Sequence, residues 1–330
     1  MAPACNLTMY TSSEHEHRWL DRPHHHQICK AALEAEEIRL SRIWLNYTEH
    51  ASAIRGPTRP PFGEEERVFS HFESCGEREY IEPLTGYARH PFANSGCKPR
   101  PPELPLVGLD STAHILLANR CNASTRVPAG PVHGRHARSH SRQRSFLFDM
   151  GCGGPPVAGR KTQKLSIPTL VAWFASECIE FDHIFAWELQ PQPPQGWWAA
   201  VPPSLRRRIS FFNVAVAREP WAPLPDDNRS DVSFIETLRA TALPDDFVAV
   251  KLDVDHSPTE LSIVNAILDD PSTAALIDEF FFEFHFAFDA HTTLYYYWRG
   301  DGGAMRHTVD EALHTMHRLR ERGVRAHFWI

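Results

Sequence analysis

Three short runs hold the residues whose types and spacing are suited to chemistry. KLDVDH, residues 251–256, closes an apolar stretch with Lys251, Asp253 and Asp255 at alternate positions. If a strand period of two persists, all three side chains point the same way. Adjacent carboxylates are costly unless a cation, a proton or Lys251 offsets them. Asp253 and Asp255 could therefore hold Mg2+ or Mn2+ through oxygen ligands, leaving other positions to water and substrate. The plainer reading makes Asp255 or Ser257 the N-cap of a helix that opens near Pro258. DEFFFEFHF, residues 278–286, alternates Asp278, Phe280, Phe282, Phe284 and Phe286 against Glu279, Phe281, Glu283 and His285. Two acids inside a phenylalanine run are hard to explain by solvation, because an unpaired buried carboxylate is expensive. His285 could serve as a general base or a metal ligand; it could equally be a satisfied core histidine, with Glu283 bonded to a helix N-terminus. The third run, FLFDMGCGG at 146–154, passes from apolar residues into Asp149 and then Gly151, Gly153 and Gly154.

The elements that must position these residues begin at Ser145. SFLFDM, HIFAWEL, RISFFNVAVA, DFVAVKLDVD, ALIDEFFFEFHF and VRAHFWI read as strands. SIPTLVAWFASECI, PTELSIVNAILDD and HTVDEALHTMHRLRERG have helical spacing, the last closed by Gly323. Alternating β and α at this spacing implies an α/β fold, a mostly parallel sheet with helices on both faces. In such sheets ligands sit beyond the C-terminal ends of the strands. There, Gly151 and Gly153 would let main chain approach an adenosyl ligand without a Cβ in the way. Glu188, at the tip of the next strand, could accept hydrogen bonds from both ribose hydroxyls. The turn lacks the full G-x-G-x-x-G spacing, since Pro156 and Val157 follow Gly154, and the acid precedes the first glycine. That arrangement favours S-adenosylmethionine over NAD. A tight βα turn beside a solvated glutamate is the plainer account.

The rest of the chain is less regular. Residues 1–26 are polar, end in His24, His25 and His26, and read as a disordered tail. Residues 27–144 read as an N-terminal helix over Gln27–Tyr47 followed by an irregular region packed on the main domain. A basic, histidine-rich exposed loop spans 127–145, and the main domain spans 145–330. The chain has 330 residues and a formal net charge of -7, which gives no general attraction to nucleic acid or anionic membrane. No segment is apolar for the roughly 18–20 residues that a membrane helix needs. The absence of a signal-like start suggests a cytoplasmic chain. Seven cysteines and sequons at Asn6, Asn46, Asn122 and Asn228 suggest a secretory lumen if the N-terminus is incomplete. Trp197–Trp198 and Phe328–Trp329 are expected to pack rather than to form a stacking platform.

Taken in order, FLFDMGCGG, IFAWEL, ISFFNVAVA, FVAVKLDVD and LIDEFFFEFH resemble the strand motifs of FkbM-type S-adenosylmethionine-dependent methyltransferases. The likeness is nearest to a divergent branch found in algae and other protists, and it covers residues 145–330. It implies a Rossmann-like methyltransferase fold and methylation of a hydroxyl on a small-molecule or sugar acceptor. By position it implies that Asp149, Gly151 and Gly153 line the methionine end of the cofactor and that Glu188 holds its ribose. Asn213 would begin the adenine-side loop. KLDVD matches the family stretch K-I-D-V-E-G-x-E through Lys251 and Asp253, with Asp255 in place of its first glutamate. His256 stands where that stretch has glycine, and Glu260 is displaced by two residues. Such folds also end with an antiparallel strand beyond the sixth, whereas this sequence stops at Ile330. The expected reaction is methyl transfer to oxygen, with His285 or Asp253 taking the hydroxyl proton. Two rival readings remain: a D-x-D metal-dependent glycosyltransferase built on LDVD, and a non-catalytic binding protein on a methyltransferase-like fold.

Overall fold

Runs of Phe, Val, Leu and Ile with no polar face belong in strands covered on both sides, and here they make the central sheet. The computed structural model describes residues 8–21, 43, 65–74, 77–81, 84, 144–154, 165–176, 179–221, 231–285, 307 and 309–329. Apart from Ile43, the helix expected over Gln27–Tyr47 lies outside them, as do the four sequon asparagines, His24–His26 and most of the basic loop.

Near the N-terminus come β1 (Thr8–Thr11), α1 (Glu14–Leu20), α2 (Glu65–Val68), β2 (Ser70–Ser74) and β3 (Glu77–Ile81). The three strands form an antiparallel sheet in the order β1-β2-β3. Residues 8–21 are therefore not the disordered tail that their polar composition suggests. Ser13, His15 and Glu16 are buried, and burying a polar side chain requires fixed partners, which a tail lacks.

The second part runs β4 (Ser145–Met150), α3 (Ile167–Ser176), β5 (His183–Trp187), α4 (Pro194–Ala200), β6 (Ile209–Phe212), β7 (Ala215–Val216), β8 (Asp231–Val232), α5 (Phe234–Thr241), β9 (Phe247–Leu252), α6 (Ser257–Asp269), α7 (Pro271–Ala274), β10 (Glu279–Phe282), α8 (Val309–Glu321) and β11 (Arg325–Phe328). Six strands form one parallel sheet in the order β11-β10-β9-β4-β5-β6. Counted within the sheet this is 6-5-4-1-2-3, the order of a doubly wound fold, with its reversal between β4 and β9. RISFFNVAVA is not one strand: it breaks at Asn213 into β6 and β7, and β7 pairs instead with β8.

The register assigns the two faces. Phe148 stacks on Phe185 and meets Phe234 of α5. Leu147 and Asp149 point the opposite way, as do their neighbours Ala249 and Lys251. On that second face Phe174 of α3 packs against Phe247 and Phe281, and Trp197 of α4 stacks on Phe211 at 3.7 Å. Helices thus cover both faces, and the large core they enclose includes Leu147, Val248, Val250, Leu252, Ile263 and Phe280, all fully buried. No helix among the described residues is long and apolar enough to cross a membrane.

Candidate functional site

At the reversal point the tips of β4, β5, β9 and β10 come together. Asp149, one residue before the end of β4, is fully buried. Its cross-strand neighbour in β9 is Lys251, whose ammonium lies 3.4 Å from Asp149 Oδ1 and 3.1 Å from Asp253 Oδ2. Lys251 also donates to the carbonyl of Gly151 (2.8 Å) and sits over the Trp329 ring. Burial works against its charge, but Asp253 and Asp149 outweigh burial and hold its pKa above the ordinary lysine value. Burial pushes Asp149 up, with Lys251 opposing. Ser166, just before α3, donates to Asp149 Oδ2 and to the Cys152 carbonyl, folding the chain back over the glycine turn.

The glycine turn and the acidic tip of β5 are in direct contact. Gly153 N–H donates to Glu188 Oε2 at 3.0 Å, and Gln190 N–H donates to Oε1 at 2.8 Å. Burial raises the Glu188 pKa, while these two N–H groups oppose that. Each carboxylate oxygen retains a further lone pair for a ligand hydroxyl. Gly151 and Cys152 donate to the Trp187 carbonyl, and Trp197 Nε1 donates to the Gly153 carbonyl. Gly151 has a φ of 81° and Gly153 a φ of 70°, the left-handed region where glycine is favoured. A Cβ on Gly151 would lie 1.6 Å from the Asp253 carbonyl oxygen. The space freed at this glycine is filled by the chain leaving β9. Asn213 ties the β6 tip to the loop after β5: its Oδ1 accepts from Gln192 N–H, and its Nδ2 donates to the Gln192 carbonyl. Trp197 packs as expected.

The loop after β9 departs from a strand. β9 ends at Leu252, and Asp255 takes a φ of 54°, so the period of two that would align Asp253 with Asp255 does not reach Asp255. Asp253 turns to Lys251 and accepts from Trp329 Nε1 (3.0 Å). Helix α6 starts at Ser257 with His256 at its N-cap and no side-chain cap bond, so neither Asp255 nor Ser257 caps it. The displaced Glu260 closes the loop instead, accepting from Val254 N–H at 2.9 Å.

Glu283 and His285 follow β10 on the face shared with Lys251. Glu283 Oε2 and His285 Nε2 are 3.2 Å apart, and the Glu283 carboxyl lies beside that of Asp253. Burial, then the Asp253 charge, raises the Glu283 carboxyl well above the usual range. Asp253 is held low: burial opposes ionisation, but Lys251 and the bonds from Glu283 and Trp329 outweigh it. Two adjacent acids thus have environments that push their proton affinities apart, a pattern common at acid–base sites. Asp255, Glu283 and His285 bring one ligand atom each to within 4.8 Å of one another.

The sequence-derived residues Asp149, Gly151, Gly153, Glu188, Asp253, Asp255 and His285 therefore gather at one edge of the sheet, while Asn213 does a joining task beside them. Ser166 had no role assigned from sequence, Trp329 is expected there only to pack, and Glu283 enters only as an acid bonded to a helix N-terminus, whereas the structure sets it beside His285. Glu283 had a signal, since alternation placed it on the His285 face. Trp329 had a weaker one: Arg325, His327 and Trp329 alternate, but their neighbours depend on the pairing of β10 with β11. The fold and site together define a doubly wound parallel α/β protein with an acid-rich edge at its reversal point. Compared with known proteins, the chain matches no protein-family model, no curated sequence and no solved structure.

Proposed function

We propose that this protein is an S-adenosylmethionine-dependent methyltransferase acting on a hydroxyl of a small-molecule or sugar acceptor. The observation that carries the reading is the contact between Gly153 and Glu188. It joins a glycine turn after the first strand to an acidic tip on the second, beside the reversal point where doubly wound sheets take ligands. In this scheme Glu188 accepts from the ribose hydroxyls, and Asp149 lies toward the amino-acid end of the cofactor. The acceptor oxygen attacks the methyl carbon in line as the carbon–sulfur bond breaks, giving S-adenosylhomocysteine. The hydroxyl proton passes to Asp253 or His285. Holding acceptor and sulfonium at near-attack distance supplies most of the acceleration.

The glycosyltransferase reading gains no support from Asp253, which is already paired with Lys251, and it gives the glycine turn and Glu188 no task. Isothermal titration with S-adenosylhomocysteine tests the proposal. Binding is expected, and Glu188→Ala should weaken it by roughly 10–100-fold, the worth of charge-assisted hydrogen bonds. No heat at millimolar ligand would overturn the proposal. Binding without turnover on any hydroxyl acceptor would move the protein to the non-catalytic class.

A further inference from the structure

The loop after β9 and the chain leaving β10 converge on Asp255, Glu283 and His285. None of the three is adjacent in sequence to a residue of the glycine turn. We propose that these side chains form a binding site for a first-row divalent cation of the Mn2+ or Zn2+ type.

The geometry supports this in three ways. One atom from each side chain lies within 4.8 Å of the other two. A metal bonded at about 2.1 Å to each ligand separates neighbouring ligand atoms by roughly 3.0–3.4 Å, and Glu283 Oε2 to His285 Nε2 is 3.2 Å. The third donor, on the exposed Asp255, lies within 4.8 Å of both. Second, the donors differ in kind. Two carboxylates and one imidazole suit Mn2+ or Zn2+ better than Mg2+, which retains water and favours oxygen alone. Third, carboxylates crowd this edge: Asp149 and Asp253 both lean on Lys251, and Asp255 and Glu283 stand beside them, so adjacent acids need a cation or a proton between them. His285 is 3% exposed and Asp255 is open to solvent, so an ion held here has one protein-covered side and one side free for water or an acceptor oxygen.

With His285 a ligand, Asp253 is left as the acceptor of a substrate proton; that clause alone rests on the methyltransferase reading. The cation site stands on its own donors.

Equilibrium dialysis of the full chain against Mn2+, without cofactor, tests it, with bound metal measured by elemental analysis and electron paramagnetic resonance. A variant with His24, His25 and His26 all changed to Ala removes the N-terminal histidines as a competing source of binding. In that background about one Mn2+ per chain is expected. His285→Ala and Asp255→Asn should each weaken binding at least about tenfold, since even partners outside the coordination sphere are worth that much. Asp255→Asn keeps a residue type that tolerates a positive φ, so its effect is not one of misfolding. Absence of saturable Mn2+ binding would overturn the proposal. So would wild-type affinity in Asp255→Asn, or binding that disappears with His24–His26. Because no adenosyl ligand is present, a failure here leaves the Glu188 titration to be judged separately.

Discussion

Gly151 shows how a single residue serves the fold at the place where a ligand is also expected. Its positive φ and its contact with the β9 exit each forbid a side chain, for different reasons. The two can be separated experimentally, because Gly323 after α8 has a φ of 86° and a methyl group there would meet nothing within 4 Å. Gly323→Ala should cost about 1–2 kcal/mol, the conformational term alone. Gly151→Ala adds a 1.6 Å collision with the Asp253 carbonyl and should cost more than about 3 kcal/mol. Urea denaturation of both variants decides this, and equal losses would show that β9 yields easily. The motif FLFDMGCGG announces the turn but not what approaches it. That depends on β4 pairing with β9, which lies far along the chain, and no local pattern encodes such a pairing. Glu188 was more legible: an acid closing an apolar strand has few places to point, and the neighbouring strand's glycine turn is one of them.

At the level of elements, the N-terminal sheet is fastened to α8 by one buried carboxylate. Glu16 of α1 accepts from Tyr10 of β1 (2.6 Å) and from Ser70 of β2, and it faces His317 (3.0 Å) and Arg320 (3.8 Å) of α8. Burial alone would raise the Glu16 pKa, but His317, Arg320, Ser70 and Tyr10 hold it below the usual carboxylate value. Burial likewise works against charge on His317, and Glu16 outweighs it, raising the imidazole above its usual value. A folded-state pKa above the unfolded one stabilises below the unfolded value and ceases to do so as pH rises through the folded value. Glu16 behaves oppositely, losing its contribution as pH falls through its depressed pKa. The node is therefore strongest in the acidic-to-neutral window between these limits. Comparing thermal midpoints of wild type and His317→Gln from about pH 5 to about pH 9 should show a wild-type advantage that shrinks as pH rises. An advantage independent of pH would mean that His317 contributes packing rather than charge. None of this was legible from residues 1–26, because polar composition argues for a tail until partners from β2 and α8 are supplied. The strands of the parallel sheet were legible for the opposite reason: SFLFDM, FVAVKL and EFFF have no polar face to leave in water. Alternation also placed Glu279, Phe281 and Glu283 on one side, where Glu279 meets His327 and Phe281 stacks on it. The strand period failed at Asp255, where the chain leaves the sheet and takes a left-handed turn.

On the scale of the whole molecule, every residue proposed to hold the cofactor or the cation lies between Asp149 and Trp329, within the doubly wound sheet and its loops. The N-terminal strands contribute none of them, yet Leu84 is buried in the large core and the Glu16 node covers α8. Site and support are thus divided between two parts of the chain. A fragment comprising residues 144–330 should keep cooperative unfolding, because β4–β6, β9–β11 and helices on both faces remain to enclose a common core. Its thermal midpoint should fall by roughly 5–10 °C, as expected for losing a few kcal/mol in a domain of this size. Calorimetric binding of S-adenosylhomocysteine should match that of the full chain, since neither Glu188 nor the glycine turn loses a partner. A fragment that folds cooperatively but no longer binds would place part of the cofactor site in the N-terminal region. A fragment that aggregates without a transition would mean that covering α8 is a condition of folding and not an addition to it. The two parts would then be a single cooperative unit, with the Glu16 node as its joint.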